Sequence, residues 1–123
     1  MIAYLKDEDG AEIVENHLAG DEVCMAHAVN LCEVYYDYLR AEDENAARVA
    51  VETLKGDGLA VREDLDEPFW KEIGRYKTSY RVSLADCFAI ALANRDEVRV
   101  STSDRHEFGP IADQGVCEVE FIR

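Results

Sequence analysis

Short strand-like segments alternate with helical ones along the whole chain, and this alternation restricts the fold more than any other feature of the sequence. The distribution of apolar residues predicts strands at Glu22–Met25, Leu59–Val61, Val98–Thr102 and Val116–Ile122. Apolar residues recur at helical spacing over residues 10–19, 28–39 and 84–93. Further helices are expected after the N-cap residues Asp43 and Asp66. Asp9 is expected to cap the first helix. Strands that are joined through helices usually pair in parallel, so we predict an α/β fold: a three-layer α/β/α sandwich with a mainly parallel sheet.

Length and cysteine usage predict a single cytoplasmic domain. A chain of 123 residues suits one domain, covering residues 1–123. No apolar stretch approaches the roughly 18 residues needed to cross a bilayer, so no membrane partner is expected. The four cysteines lie far apart and form no C-x-x-C motif, which is typical of reduced thiols in a cytosolic protein. They are Cys24, Cys32, Cys87 and Cys117.

The charge of the chain excludes one class of function. It has 27 acidic and 13 basic residues, for a net charge of −14. A general nucleic-acid coat is excluded, because non-specific binding depends on Lys and Arg side chains that neutralise phosphates. An acidic protein can still act on a polyanion if metal ions and a local basic patch offset its field.

Three acidic residues lie where an α/β sheet would collect a ligand. Glu33 follows the first predicted strand, Asp86 lies in the first turn of the apolar helix over 84–93, and Asp104 follows the strand Val98–Thr102. Converging carboxylates repel one another and therefore need a cation. Oxygen ligands favour Mg²⁺ or Mn²⁺ over zinc.

Spacing alone also allows structural roles for the same acids. Ser83-Leu-Ala-Asp86 fits a capping box in which Asp replaces the usual Glu. Asp104 can cap a turn over Arg105–Phe108, and Glu33 can be a solvated helix residue. The spacing leaves these alternatives open.

The local sequences around these acids occur in a recognisable order. Asn30-Leu-Cys-Glu33 is followed by Ser83-Leu-Ala-Asp86-Cys-Phe-Ala-Ile-Ala and then by Thr102-Ser-Asp104-Arg-His-Glu-Phe108. Together they resemble the PIN domain, in particular the small toxin nucleases of VapC type, over essentially the whole chain. The segment 83–91 is the most specific part of this resemblance.

The resemblance implies a metal-dependent ribonuclease. By it, Glu33, Asp86 and Asp104 would be both catalytic residues and ligands of Mg²⁺ or Mn²⁺ in a pocket that hydrolyses RNA phosphodiesters. Thr102 would support the site by hydrogen bonding, and Ser83 would hold Asp86 in place by capping its helix.

The chain also departs from the family pattern. The family begins with an apolar strand that ends in an Asp, its first metal ligand, whereas Met1–Lys6 is similar to the helical segment after that Asp. Asp7 and Asp9 fall where the family has a surface turn and do not replace the missing ligand. Either Met1 is an internal methionine and the natural chain starts upstream, or this variant is genuinely shortened. The second case favours the alternative function, a catalytically silent PIN-like domain that binds a partner protein.

One window of the chain is basic. Residues 71–85 contain four basic residues and a single acid, Glu72. Such a flank beside an acidic pocket can guide an RNA backbone, although a solubilising helix face has the same composition. The possible RNA contacts are Lys71, Arg75, Lys77 and Arg81. Tyr80 can stack on a base, whereas core packing is favoured for Tyr76.

The resemblance also implies partners. It suggests the toxin of a toxin–antitoxin pair and a homodimer, and the acidic charge favours a basic antitoxin. The predicted helix over residues 28–39 has more apolar surface than one face of a single helix normally buries, and this surface supports the dimer. It is contributed by Tyr35, Tyr36, Tyr38 and Leu39.

Overall fold

The computed structural model describes residues 1–123, which form seven helices and four three-residue strands. In chain order they are α1 (Ile2–Leu5), α2 (Ala11–Ala19), β1 (Met25–His27), α3 (Ala28–Ala41), α4 (Glu44–Gly56), β2 (Ala60–Arg62), α5 (Glu67–Ser79), α6 (Leu84–Asp96), β3 (Val100–Thr102), α7 (Arg105–Asp113) and β4 (Val119–Phe121). None of the helices is both long and apolar enough to span a membrane.

All strand pairing is parallel, which confirms the α/β class. Strand β1 pairs with β2 in the register Met25 to Ala60, and β3 pairs with β4 in the register Val100 to Val119. Each pair forms a separate two-stranded sheet. Helices connect the paired strands, as the alternation in the sequence predicts.

The end of the third predicted strand at Thr102 is confirmed, and the other predicted strand limits are wrong by one to three residues. The first strand begins at Met25 and not at Glu22, because Val23 is 70% exposed and lies outside the paired backbone. The last strand covers only Val119–Phe121 of the predicted segment 116–122. Apolar composition indicates burial, whereas a strand extends only as far as its partner offers backbone groups.

The chain divides into two compact units. The N-terminal unit comprises Met1–Arg62 together with Ile122–Arg123, and the C-terminal unit comprises Glu63–Phe121. That residues 1–123 act as one PIN-like domain stays a prediction.

The N-terminal unit is built around the packing of α3 on α4. Its core consists of buried apolar side chains, and α1 and β2 add partly buried ones to it. The core residues are Leu31, Val34, Ala50 and Leu54. Asp43 caps α4 by accepting a hydrogen bond from the backbone N–H of Ala46 at 2.8 Å, as predicted.

Gly10, not Asp9, is the N-cap of α2, and this corrects the sequence-based expectation. Gly10 has φ +93° and makes no side-chain cap. A Cβ at this position would lie 2.5 Å from the carbonyl oxygen of Ile122. Because the two backbones approach so closely, position 10 requires glycine. The helix therefore begins one residue later than a cap at Asp9 would place it.

The C-terminal unit is built around α6, the apolar helix of the sequence analysis, which is buried on most of its surface. Seven of its thirteen residues are buried, and Phe88 meets Phe69 of α5 edge to face at 6.0 Å between ring centroids. Asp66 caps α5 through the backbone N–H of Phe69 at 3.1 Å, also as predicted. Its carboxylate accepts two hydrogen bonds from Arg95 of α6, at 2.6 and 2.8 Å, which ties α6 to the start of α5.

Two glycine substitutions test the backbone analysis. We expect Gly10→Ala to lower the free energy of unfolding by more than about 1 kcal/mol, because both the positive φ and the Ile122 carbonyl oppose a Cβ. Gly74→Ala, at an exposed position inside α5 with open space around it, should raise it by about 0.5–1 kcal/mol. Urea unfolding followed by circular dichroism measures both, and equal effects of the two substitutions would contradict the close approach at Gly10.

The Arg95–Asp66 pair predicts a specific acid sensitivity. The hydrogen bonds from Arg95 are the main cause that lowers the pKa of Asp66 from 3.8 to about 2. Since the folded-state pKa lies below the unfolded one, the stabilisation is present above pH 3.8 and is lost as the pH falls towards 2. Asp66→Asn keeps a helix-capping side chain but lacks the charge. Thermal unfolding should show a difference between wild type and Asp66→Asn at pH 6 that shrinks by pH 2, and a constant difference would contradict this assignment.

Candidate functional site

Asp86 is held in the first turn of α6 by a reciprocal capping box. The backbone N–H of Asp86 donates to Ser83 Oγ at 3.1 Å, and the backbone N–H of Ser83 donates to Asp86 Oδ2 at 3.4 Å. The predicted capping box is therefore present. It uses one carboxylate oxygen, and Oδ1 of Asp86 has no hydrogen bond within the chain.

Asp104 is itself the N-cap residue at the start of α7. It follows β3 after one residue, and its Oδ1 accepts a hydrogen bond from the backbone N–H of Glu107 at 3.0 Å. The backbone N–H of Asp104 donates to Thr102 Oγ1 at 3.1 Å, so Thr102 holds the backbone that carries the carboxylate. The predicted cap forms the start of a nine-residue helix, longer than the turn over Arg105–Phe108. Oδ2 of Asp104 has no hydrogen bond within the chain.

Glu33 is placed differently from the two aspartates. It is half-buried on α3 in the N-terminal unit, whereas Asp86 and Asp104 both belong to the C-terminal unit. The hydroxyl of Tyr36 donates to Glu33 Oε2 at 3.4 Å. The negative charge of Glu33 is the main cause that raises the pKa of Tyr36.

The aspartates fit a hard divalent cation in their donor chemistry. Each offers a carboxylate oxygen that the helix cap leaves unbonded, and Mg²⁺ and Mn²⁺ prefer such ligands. The structure gathers no three or more His, Cys, Asp or Glu side chains into a group arranged to hold a metal ion.

The four basic residues of the window 71–85 differ in the contacts that their side chains make. Lys71 forms an ion pair with Glu67 at 2.6 Å, and Lys77 donates to the backbone carbonyl of Val82 at 2.9 Å. Arg75 and Arg81 are exposed, and their side chains have no interaction partner within the chain. Only these two guanidinium groups are therefore unpaired.

Tyr76 is fixed by a polar network and Tyr80 is not. The hydroxyl of Tyr76 donates to Glu72 at 2.6 Å and accepts from Asn94 at 2.9 Å, and Asn94 also donates to the carbonyl of Val116 at 2.9 Å. Burial, followed by the bond to Glu72, raises the pKa of Tyr76 to about 12. The ring of Tyr80 lies 6.4 Å from that of Tyr76, and its hydroxyl has no hydrogen bond.

An open groove connects the starts of α6 and α7. It has a volume of about 710 Å³ and is lined by residues 77–83 and by Glu107. Ser83, which caps the helix of Asp86, and Glu107, whose backbone bonds to Asp104, both border it. The groove therefore adjoins the residues that hold both aspartates.

Two residues of interest had no assigned role in the sequence analysis. Glu107 lines the groove from the first turn of α7, the helix that Asp104 caps. His27 ends β1, is 4% exposed, and caps α3 by accepting from the backbone N–H of Val29 at Nδ1, 3.1 Å away. Histidine is not among the residues favoured at N-caps, so no sequence signal indicates this cap.

A model of the PIN domain family matches residues 1–112 of the chain. The match covers most of the sequence and includes Glu33, Asp86 and Asp104. No curated protein and no solved structure matches the chain significantly.

The capping box makes a testable contribution to stability. We expect Ser83→Ala to lower the free energy of unfolding by about 1 kcal/mol, because the backbone N–H of Asp86 loses its acceptor, whereas Ser83→Thr should retain most of it. Ser79→Ala is the matched control, since the hydroxyl of Ser79 has no hydrogen bond. Urea unfolding measures all three, and a loss no larger than that of Ser79→Ala would contradict a stabilising box.

Proposed function

Since the chain belongs to the PIN domain family, which has a nuclease-type fold, we propose that it is a Mg²⁺- or Mn²⁺-dependent endoribonuclease that hydrolyses RNA phosphodiesters. One observation carries this proposal. Asp86 and Asp104 each stand at the start of a helix in the C-terminal unit, each keeps an unbonded carboxylate oxygen, and the residues that hold them border one groove.

The proposed ligands of the cation are Glu33, Asp86 and Asp104. When bound, Mg²⁺ or Mn²⁺ supplies a Lewis acid that activates water and stabilises charge on the phosphate. The chain itself positions the two aspartates. Ser83 and Thr102 accept hydrogen bonds of 3.1 Å from the backbone N–H groups of the two aspartates. The carboxylates themselves accept from the backbone N–H groups of Ser83 and Glu107, so both are ordered before a ligand arrives.

Substitution of the aspartates tests the catalytic proposal. We expect Asp86→Asn and Asp104→Asn each to lower Mn²⁺-dependent cleavage of a labelled RNA by at least about 100-fold, because even loss of an outer-shell partner costs 10–100-fold in metal sites. Both should also weaken Mn²⁺ binding in calorimetry. Asp113→Asn removes an exposed carboxylate at the end of α7 and is the matched control.

The outcomes separate the two functions considered. Unchanged Mn²⁺ affinity and cleavage in both aspartate variants would refute the shared metal site. A folded wild-type chain that neither binds Mn²⁺ nor cleaves RNA would instead support the alternative, a silent PIN-like domain that binds a partner protein.

We further propose that the chain is the toxin of a toxin–antitoxin pair and works as a homodimer in the cytoplasm. The net charge of −14 supports a basic antitoxin segment as its partner. Exposed apolar surface on α3 supports self-association, since Tyr36 is 40% and Leu39 is 44% exposed.

Light scattering at micromolar concentration tests the dimer. We expect a mass of twice 13.9 kDa at moderate salt, and we expect Leu39→Glu to shift it towards the monomer because it places a charge on the apolar surface. Val49→Glu, at a 45% exposed position on α4, is the control. A cooperative wild-type monomer would contradict the proposal.

A further inference from the structure

One continuous segment of the chain forms most of the groove lining. Residues 77–83 run from the last turn of α5 to the N-cap of α6, and they line the groove together with Glu107 of α7. The ammonium group of Lys77 donates to the carbonyl of Val82 at 2.9 Å, which straps the two ends of the loop together. This hydrogen bond fixes the position of the Lys77 ammonium group, which keeps its positive charge in the groove.

Arg81 is the cation that the groove leaves available. The C-terminal unit has seven basic side chains, and five of them contact an acid, a carbonyl or an aromatic ring. Of the two without a partner, Arg75 does not line the groove and Arg81 does. The exposed guanidinium of Arg81 has no acid paired to it and is free to bind an external anion.

The neighbouring side chains match the chemistry of single-stranded RNA. A guanidinium presents a planar fork of donors that fits a phosphate, and an aromatic ring next to it can stack on a base. Tyr80, half-buried with a free hydroxyl, lines the groove beside Arg81. Glu107 is the one acid in the lining, and its charge opposes phosphate.

We propose that this groove binds single-stranded RNA, with Arg81 holding a backbone phosphate and Tyr80 stacking on an adjacent base. The inference rests on the proposed function and adds to it the position of the substrate. Ser83 and Glu107 border the groove and contact Asp86 and Asp104, so RNA in the groove lies next to the residues that hold the proposed ligands. Arg81 is a binding residue in this scheme, and Lys71 and Lys77 are not.

Binding without cleavage isolates this inference. Fluorescence anisotropy of a labelled 12-nucleotide single-stranded RNA, in EDTA and low salt, measures affinity with no divalent cation present. We expect Arg81→Gln to weaken binding at least about 5-fold and to reduce the slope of log K against log salt by about one unit, because one phosphate contact is lost. Arg81→Lys should recover part of the affinity, and Glu107→Gln should strengthen binding.

Two variants control for net charge. Lys71→Gln removes a cation that is paired with Glu67 in the same unit, and Lys55→Gln removes an exposed, unpaired cation on α4. Both change the total charge as Arg81→Gln does, and both should leave affinity within about 2-fold. Tyr80→Leu should weaken binding to this RNA but not to an abasic strand of the same length, because stacking contributes only when a base is present.

The results distinguish failure of this inference from failure of the proposed function. If Arg81→Gln weakens RNA binding no more than Lys71→Gln does, the groove is not an RNA site. The same conclusion follows if a 12-residue poly-glutamate binds in an Arg81-dependent way and RNA does not. If RNA binds through Arg81 but Mn²⁺ produces no cleavage, the groove is upheld and the nuclease proposal fails. Loss of cleavage in Asp86→Asn, with Arg81→Gln binding and cleaving as wild type, overturns only the groove.

Discussion

The first backbone N–H groups of a helix have no partner within that helix, and this constraint places the side chains on which the candidate site depends. At the start of α6 the need is met by Ser83 and Asp86, and at the start of α7 by Asp104. Each carboxylate therefore has a structural reason for its position, independent of any ligand. Because each cap uses only one carboxylate oxygen, the same groups can cap a helix and offer an oxygen to a cation. Structural and functional interpretations of these acids are compatible in this chain.

The strong excess of acids determines how the few basic residues are used. Most cations of the C-terminal unit are bound internally: Arg95 bridges Asp64 and Asp66, and Arg99 approaches Glu120. Pairing of this kind relieves the repulsion among the carboxylates. Arg81 has no such partner and lies in the groove lining, where its charge stays available. A count of charges along the sequence treats it as equivalent to Lys77, which is bonded to a backbone carbonyl.

Several elements were predictable because their causes are local. The N-caps Asp43 and Asp66 and the box Ser83–Asp86 follow from side chains that reach a backbone group three residues away. Strand limits were less predictable, because they depend on a partner strand far away in sequence. The helix start at Gly10 was missed for the same reason: the deciding contact is with Ile122, at the other end of the chain. Glu107 was missed because its place in the groove depends on the loop before α6, although it lies within the segment 102–108, and His27 was missed because it belongs to no motif.

The sequence by itself determined the α/β class, the parallel pairing and the capping of most helices, because these follow from periodicity and from hydrogen bonds within a few residues. It also carried the order of local motifs that the family model matches over residues 1–112. Only the tertiary structure decided which cations are engaged, that residues 77–83 and Glu107 enclose one groove, and that Gly10 must lack a side chain. The groove and the contact at Gly10 depend on groups that are distant in sequence and close in space, and no local pattern encodes such a distance. The contact of each cation depends on side-chain geometry, which a charge pattern does not specify.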